Sequence, residues 1–435
     1  MTSTAGRRRI LVDLTPLRTS PDFRRLWWSF AVSSIGTQIA VVAVGLQVYA
    51  LTGSTLAVGL LGLCALVPLV SIGLYGGALV DAHDRRTVTV VSSVGVFVPA
   101  VGLAVQAWLD LGSVGVLYGL VALQSAAAAV NNPARSAVIP RLVDPADLPA
   151  ANALRSIVMS LAMGVGPLVG AVLVVAVGYP VTYTLEAVAL ATAVYAALRL
   201  PSLEPLPGEG GGGRAGLRSV LEGLRYLAGQ RVVRMTFLID LACNVLANPR
   251  VVFPAAGVLY LGGGPVTAGV LASAIAVGSL ATGVFSGRIT ANPNQGRAVV
   301  GAGIGWAVAV AGFGTVLLVV GPQEPGRMLA GALVVACVLL ALAGAADTVG
   351  MVHRGTILQQ VSPDGLRGRL QGVFVVVVTG GPRAGESVTG VGAEWWGEAV
   401  AVTAGGLACV AVVLLLVRGQ PDLWTYRRPE PGETR

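Results

Sequence analysis

Long apolar stretches broken by short polar ones set the pattern of this chain. Twelve stretches are long enough to cross a bilayer, at roughly 27–51, 55–80, 87–109, 113–134, 152–177, 181–199, 232–260, 265–289, 298–320, 328–351, 370–392 and 398–417. A helix rising 1.5 Å per residue needs about 20 apolar residues to span the hydrocarbon core. The runs are continuous and do not alternate residue by residue, so they predict helices and not barrel strands. The expected fold is an all-α membrane protein of twelve transmembrane helices.

The interruptions alternate in character. "TGST", "DLGS", "GYP", "GGG" and "EWWGE" carry no Arg, and "GPQEPGR" carries only Arg327. The other set holds Arg85 and Arg86, Arg135 and Arg141, Arg214 to Arg231, Arg297, then Arg354, Arg367 and Arg369, and both termini are Arg-rich. The positive-inside rule places this second set and both termini in the cytoplasm, in a multi-pass protein of the bacterial plasma (inner) membrane. Trp27, Trp28, Trp108, Trp395 and Trp396 fall at span ends, where interfacial anchors belong.

The middle is a break. "PSLEPLPGEGGGGRAG" (201–216) reads as a flexible linker, and "LRSVLEGLRYLAGQ" after it as an amphipathic helix on the inner membrane surface. The expected organisation is a cytoplasmic segment 1–26, a six-helix bundle 27–200, the linker 201–231, a second six-helix bundle 232–417 and a tail 418–435. The halves repeat weakly. Gly59 and Gly77 have the same separation as Gly269 and Gly287, and "VDPADL" (143–148) resembles "VSPDGL" (361–366). Two pseudo-symmetric bundles of this kind are the layout of a secondary transporter.

Composition agrees and narrows the chemistry. The 435 residues are 54% hydrophobic and 11% charged, with a formal charge of +8. All 29 basic residues are Arg. Without Lys there is no Walker A loop and no Schiff base, and no GxSxG or HExxH motif is present. An enzyme is not expected. The positive charge is accounted for by membrane orientation, so no nucleic acid partner is expected. Cys64, Cys243, Cys337 and Cys409 stand singly in apolar runs as small hydrophobes. With two isolated histidines they suggest neither metal nor cofactor. The basic, polar start lacks the apolar core of a cleavable signal peptide. The expected partners are a small-molecule substrate, protons and the lipid bilayer, and the chain is expected to act as a monomer.

The turn "GGALVDAHDRRT" (76–87) puts two acids, a histidine and two arginines between apolar runs. It resembles the loop signature of the major facilitator superfamily. Gly77, Leu79, Asp81, Arg85 and Arg86 match, whereas Ala82 and Asp84 replace the usual basic residue and Gly. The resemblance implies a gate in which Asp81 caps a neighbouring helix and the arginines pair with acids across the inner face. "NNPARSAVIPRLVDPADLPAANAL" (131–154) and "LQQVSPDGLRGRLQGVF" (358–374) resemble the exporter branch that includes enterobactin and macrolide efflux proteins. "GVGPLVGA" (164–171) resembles the Gly-Pro motif of exporters through Gly164, Gly166, Pro167 and Gly170, with Ala171 in place of the last Gly. The resemblance covers roughly 20–417 and implies alternating access and export of an amphipathic small molecule, such as a siderophore, antibiotic or other secondary metabolite, by proton antiport; the alternatives are an importer or facilitator of a small metabolite and a non-transporting membrane receptor or scaffold. The Arg that many proton antiporters carry in the fourth span is absent from "LYGLVALQSAAAAV".

Ionisable and amide groups inside spans are the functional candidates. Asp240, Asn244 and Asn248 share one face of the seventh span, and Pro249 and Pro254 disrupt it beside Arg250. This face is expected to line the central cavity, with Asp240 as a protonatable switch and Arg250 holding an anionic group or an acid. An Arg in this span is also part of the resemblance to the exporter branch. Glu186, Gln38, Gln124 and Asn131 are further cavity or coupling candidates, with Gln47 and Asn132 beside them. Asp347 is placed to pair with Arg354, and Arg383 with Glu386 three residues on. His83 and His353 are expected at solvated cytoplasmic ends.

Overall fold

A computed structural model describes residues 13–203, 225, 229–284, 292–324, 328–361 and 367–427, with the side chains of 74–82, 284, 359, 361 and 367–378 excepted. The described residues form helices and short connections, with no strand among them. We label the helices α1 (Pro21–Thr52), α2 (Thr55–Ala82), α3 (Arg85–Trp108) and α4 (Val114–Leu142). Leu148–Leu198 follows as one helix broken at Gly178 (φ 77°, ψ 173°), and its arms 148–177 and 179–198 are α5 and α6. After the linker come α7 (Arg231–Leu246, continued as short irregular turns to Tyr260), α8 (Gly264–Val284), α9 (Gln295–Val320), α10 (Ala330–Val361), α11 (Arg367–Trp396) and α12 (Glu398–Gly419). Among the described residues, ten helices are long and apolar enough to cross a membrane. Dividing the fifth of these at Gly178 and adding α11 brings the helical passages to twelve.

Capping residues explain the sharp turns. Gly53 closes α1 in the left-handed region (φ 62°) and Ser54 opens α2 by accepting from Ala57 N at 3.2 Å, so "TGST" suffices to reverse the chain. Gly397 (φ 82°) does the same between α11 and α12. Trp28, Trp108, Trp395 and Trp396 are all exposed, as rings at a lipid interface should be.

The two bundles meet through glycines. A Cβ on Gly59 of α2 would lie 2.6 Å from the Glu386 carbonyl of α11, and Gly390 faces the same contact. A Cβ on Gly269 of α8 would lie 2.6 Å from Ala171 Cβ and 2.9 Å from the Pro167 carbonyl of α5. Gly59 and Gly269 are the residues that the internal repeat sets in register, and both sit where one bundle touches the other. In lipid, helices associate by close backbone approach with little hydrophobic help, which is what small residues permit. The exporter-type motif is divided between contacts: Gly166 and Gly170 accept Gln38 and Ile39 of α1, whereas Gly164 faces Ala276 and Leu280 of α8.

The amphipathic helix expected in the linker, the Gly77, Leu79 and Asp81 side chains, Gly287 and most of 358–374 lie outside the described residues.

Candidate functional site

Polar groups gather at three levels. In the N-terminal bundle, Glu186 of α6 is completely buried. Gln124 of α4 donates to its Oε1 at 2.9 Å, and Oε2 is buried without a partner. Gly36 of α1 leaves room for α6 here, since a Cβ on it would stand 3.5 Å from Glu186 Cα. One turn away the Tyr183 hydroxyl donates to Gln47 Oε1 at 2.7 Å, and Gln106 Nε2 to the same oxygen at 3.2 Å. A carboxyl group with a single amide donor, shut away from water, can hold a proton as a neutral acid and give it up once water reaches it. Asn131 is turned to α3, where Ser92 and Ser93 hydroxyls accept from it at 3.1 and 2.9 Å, so its amide joins two helices and does not line a cavity. Gln38 is half-buried with its Cβ against Gly166.

In the C-terminal bundle, Asp240 is a paired ion. Arg354 Nη1 of α10 stands 2.6 Å from its Oδ1, and Asn244 Nδ2 donates to the same oxygen at 3.0 Å. Arg354 Nη2 also reaches Asp347 Oδ1 at 3.4 Å, as the sequence suggests. Its neighbour His353 is buried and not solvated, with one ring nitrogen 2.9 Å from the Val349 carbonyl. Both residues belong to the 32-residue helix α10 and not to a loop. Asn248 donates to the Pro382 carbonyl of α11 at 2.8 Å. Arg383 and Glu386 pair at 3.3 Å, as their spacing implies.

Arg250 falls in the break between Leu246 and Phe253, where Pro249 interrupts the ladder. It is solvent-accessible, yet residues 247–249 and 251–253 are all buried. Glu386, Asp347 and Arg383 lie within its electrostatic reach. Its guanidinium thus stands among buried neighbours, in reach of charged groups from two other helices.

Two sets of hydrogen bonds border the bundles. At the Gly53 end, Ser54 and Thr55 of the first half donate to Glu394 Oε2 (3.2 Å) and Glu398 Oε1 (2.9 Å) of the second, and the Tyr260 hydroxyl donates to Glu398 Oε2 at 3.2 Å. At the opposite end, Asp84 caps α3 through Arg86 N (3.4 Å) and Thr87 N (3.2 Å) and accepts from Leu203 N at 2.8 Å. Burial works to raise the Asp84 carboxyl, but the donors Leu203, Thr87 and Arg86 outweigh it and hold the group below its ordinary range. Asp84, where the loop signature commonly has Gly, is the N-cap of α3. Arg85 and Arg86 donate to the carbonyls of Ala137 (3.4 Å) and Leu198 (3.0 Å) in their own bundle.

Membrane-length helices in two halves that meet through close glycine contacts define a major facilitator-type membrane transporter. Residues 12–424 match the transmembrane secretion effector family, and the chain belongs to that family. Among curated relatives, the enterobactin exporter EntS of Citrobacter koseri is 26% identical over 446 residues, covering 98% of each chain. EntS of Escherichia coli O127:H6 is 27% identical over 444 residues at the same coverage. The fold resembles that of solved transporters: a D-xylose-proton symporter (TM-score 0.68, 14% identity, 95% of this chain and 99% of the other) and a POT family transporter in complex with 5-aminolevulinic acid (TM-score 0.69, 9% identity, 93% and 97%). The family and these relatives are transporters and not enzymes.

Several partners escape a reading of the sequence alone. Arg354 looks like one more inner-loop arginine, and Tyr183 and Gln106 look like ordinary span residues. Arg135 was counted with the loop arginines, but it lies within α4 and its guanidinium reaches Ser29 and Ser33 of α1, each at 3.3 Å. A sequence signal exists only for Arg135: seven residues separate it from Leu142, the last of its helix, enough to bring it inside.

Proposed function

We propose that this protein exports an amphipathic small molecule, a siderophore, antibiotic or other secondary metabolite, by alternating access in exchange for protons. It would do so in the bacterial inner membrane with both termini in the cytoplasm. The alternation of Arg-rich and Arg-free connections supports that orientation. The names of the curated relatives support the direction and the substrate class. Rocking of the two bundles about their glycine contacts opens one end as it closes the other. The Ser54 and Thr55 bonds to Glu394 and Glu398 latch one end and must break for it to open.

Glu186 is the proton site in this reading, and the observation that carries it is its complete burial with one oxygen unpartnered. Asp240, already matched by Arg354, is a charge pair that holds α7 to α10. Arg250 supplies positive charge to the substrate space, with Glu386 and Asp347 to balance it when the space is empty. The test separates coupling from movement. Glu186→Gln should abolish proton-driven uptake of enterobactin or a macrolide into inside-out vesicles but keep exchange of labelled for unlabelled compound. Gradient-driven uptake that survives in Glu186→Gln removes Glu186 from the coupling step.

A further inference from the structure

A second charged place lies away from the groups above. Arg135 of α4 has its guanidinium carbon 5.3 Å from the centroid of the Phe30 ring of α1, and Arg155 of α5 has its own 5.4 Å from the same centroid. Seven residues separate Arg135 from Leu142 and Arg155 from Leu148, so both lie at the same depth, about 10 Å in from the helix ends. Their hydrogen-bond partners are neutral: Ser29 and Ser33 for Arg135 at 3.3 Å each, and Ser136 for Arg155 at 2.6 Å. Among the described residues no carboxylate pairs with either. A ring face stabilises a cation modestly, but it cancels no charge, and two like charges brought together in a partly dry place are left unbalanced. Phe23, Leu26, Trp27 and Ile139 complete the lining of the same pocket.

We propose that Arg135, Arg155 and Phe30 form a binding site for the anionic head of an amphiphile, with its apolar body along Leu26, Trp27 and Ile139. Guanidinium groups bind carboxylate and phosphate in charge-assisted, geometrically specific pairs. One bound anion would relieve the repulsion that no acid among the described residues relieves. The source of the anion is the transported substrate, captured from the cytoplasmic side before it reaches Arg250, or a lipid headgroup. That the ligand is cargo rests on the export reading, whereas binding itself can be measured with no transport at all.

The experiment is equilibrium binding to the purified full-length protein in a neutral detergent. Salicylate is compared with its uncharged analogue salicylamide, and phosphatidylglycerol with phosphatidylcholine. Salicylate should bind at least tenfold more tightly than salicylamide. Raising the salt concentration should weaken salicylate alone, a readout that needs no variant. Arg135→Gln and Arg155→Gln should each lose tenfold or more in affinity while melting no lower than the wild type, because each removes a repulsion. Salicylate binding with this charge and variant dependence supports a capture site. Phosphatidylglycerol binding with the same dependence, and none of salicylate, supports the anion chemistry but overturns capture of cargo. No charge-dependent binding of either, or variants that melt lower with affinity unchanged, overturns the site.

Discussion

Removing Arg354 should cost more than removing its acid partner, and the reason lies in who is left behind. Arg354 and Asp240 expose 9% and 4% of their side chains, and their closest atoms are 2.6 Å apart. Breaking a buried pair by deleting one member costs about 3–5 kcal/mol, chiefly because the survivor is stranded. In Arg354→Gln, Asp240 keeps only the Asn244 amide, so that variant should lose about 3–5 kcal/mol. In Asp240→Asn, Arg354 still has Asp347 at 3.4 Å, whose side chain is 38% exposed and reachable by water. That variant should lose less, about 1–3 kcal/mol. The double variant leaves two amides and no stranded charge, so the losses should fall short of additivity by about 2 kcal/mol or more. Reversible unfolding in mixed micelles, followed by helical circular dichroism across the four proteins, gives all three numbers. Losses that add to within about 0.5 kcal/mol, or an Asp240→Asn loss as large as that of Arg354→Gln, would refute the stranded-charge reasoning.

Three other outcomes follow from contacts already described. Gly269→Leu places a side chain where a Cβ alone meets Ala171 at 2.6 Å, so it should slow transport and destabilise by about 1–3 kcal/mol, measured by vesicle uptake and thermal melting. Asp84→Ala should cost about 1 kcal/mol by removing the α3 cap. Because the folded Asp84 carboxyl is held below its ordinary range, its contribution is present above about pH 4 and is lost as pH falls through the lower folded value; Asp84→Asn should keep the cap and erase that pH dependence of the melting temperature. Replacing Ser54 with Ala and Thr55 with Val removes two bonds between the halves, each worth about 0.5–1.5 kcal/mol. Distances between spin labels at positions 110 and 324 should shift toward the separated population.

The membrane class and the division into two bundles were legible in the sequence because the bilayer demands about 20 apolar residues per passage and little else satisfies that rule. The glycines at the bundle contacts were legible through spacing, since close approach has no substitute for a missing Cβ. Arg383 with Glu386 and Asp347 with Arg354 were legible because helical neighbours are fixed by sequence distance. Pairing between helices was not. Nothing in the order of residues brings Arg354 to Asp240, Gln124 to Glu186 or Asn131 to Ser92 and Ser93, because those meetings depend on how each helix is rotated in its bundle. For the same reason the sequence does not show that Asp240 is paired with Arg354 or that Glu186 is fully buried. Asp84 was not legible as the α3 cap because the sequence does not fix that α2 runs to Ala82 and α3 begins at Arg85.

Proton-coupled export is tested most directly in inside-out vesicles that contain the protein. Uptake of enterobactin and of a macrolide is recorded with an imposed acid-inside pH gradient, and again after the gradient is collapsed. The account predicts saturable uptake of an amphiphile that disappears with the gradient and is absent in Glu186→Gln. Saturable uptake that ignores the gradient would contradict proton coupling, and uptake that runs only against it would contradict export.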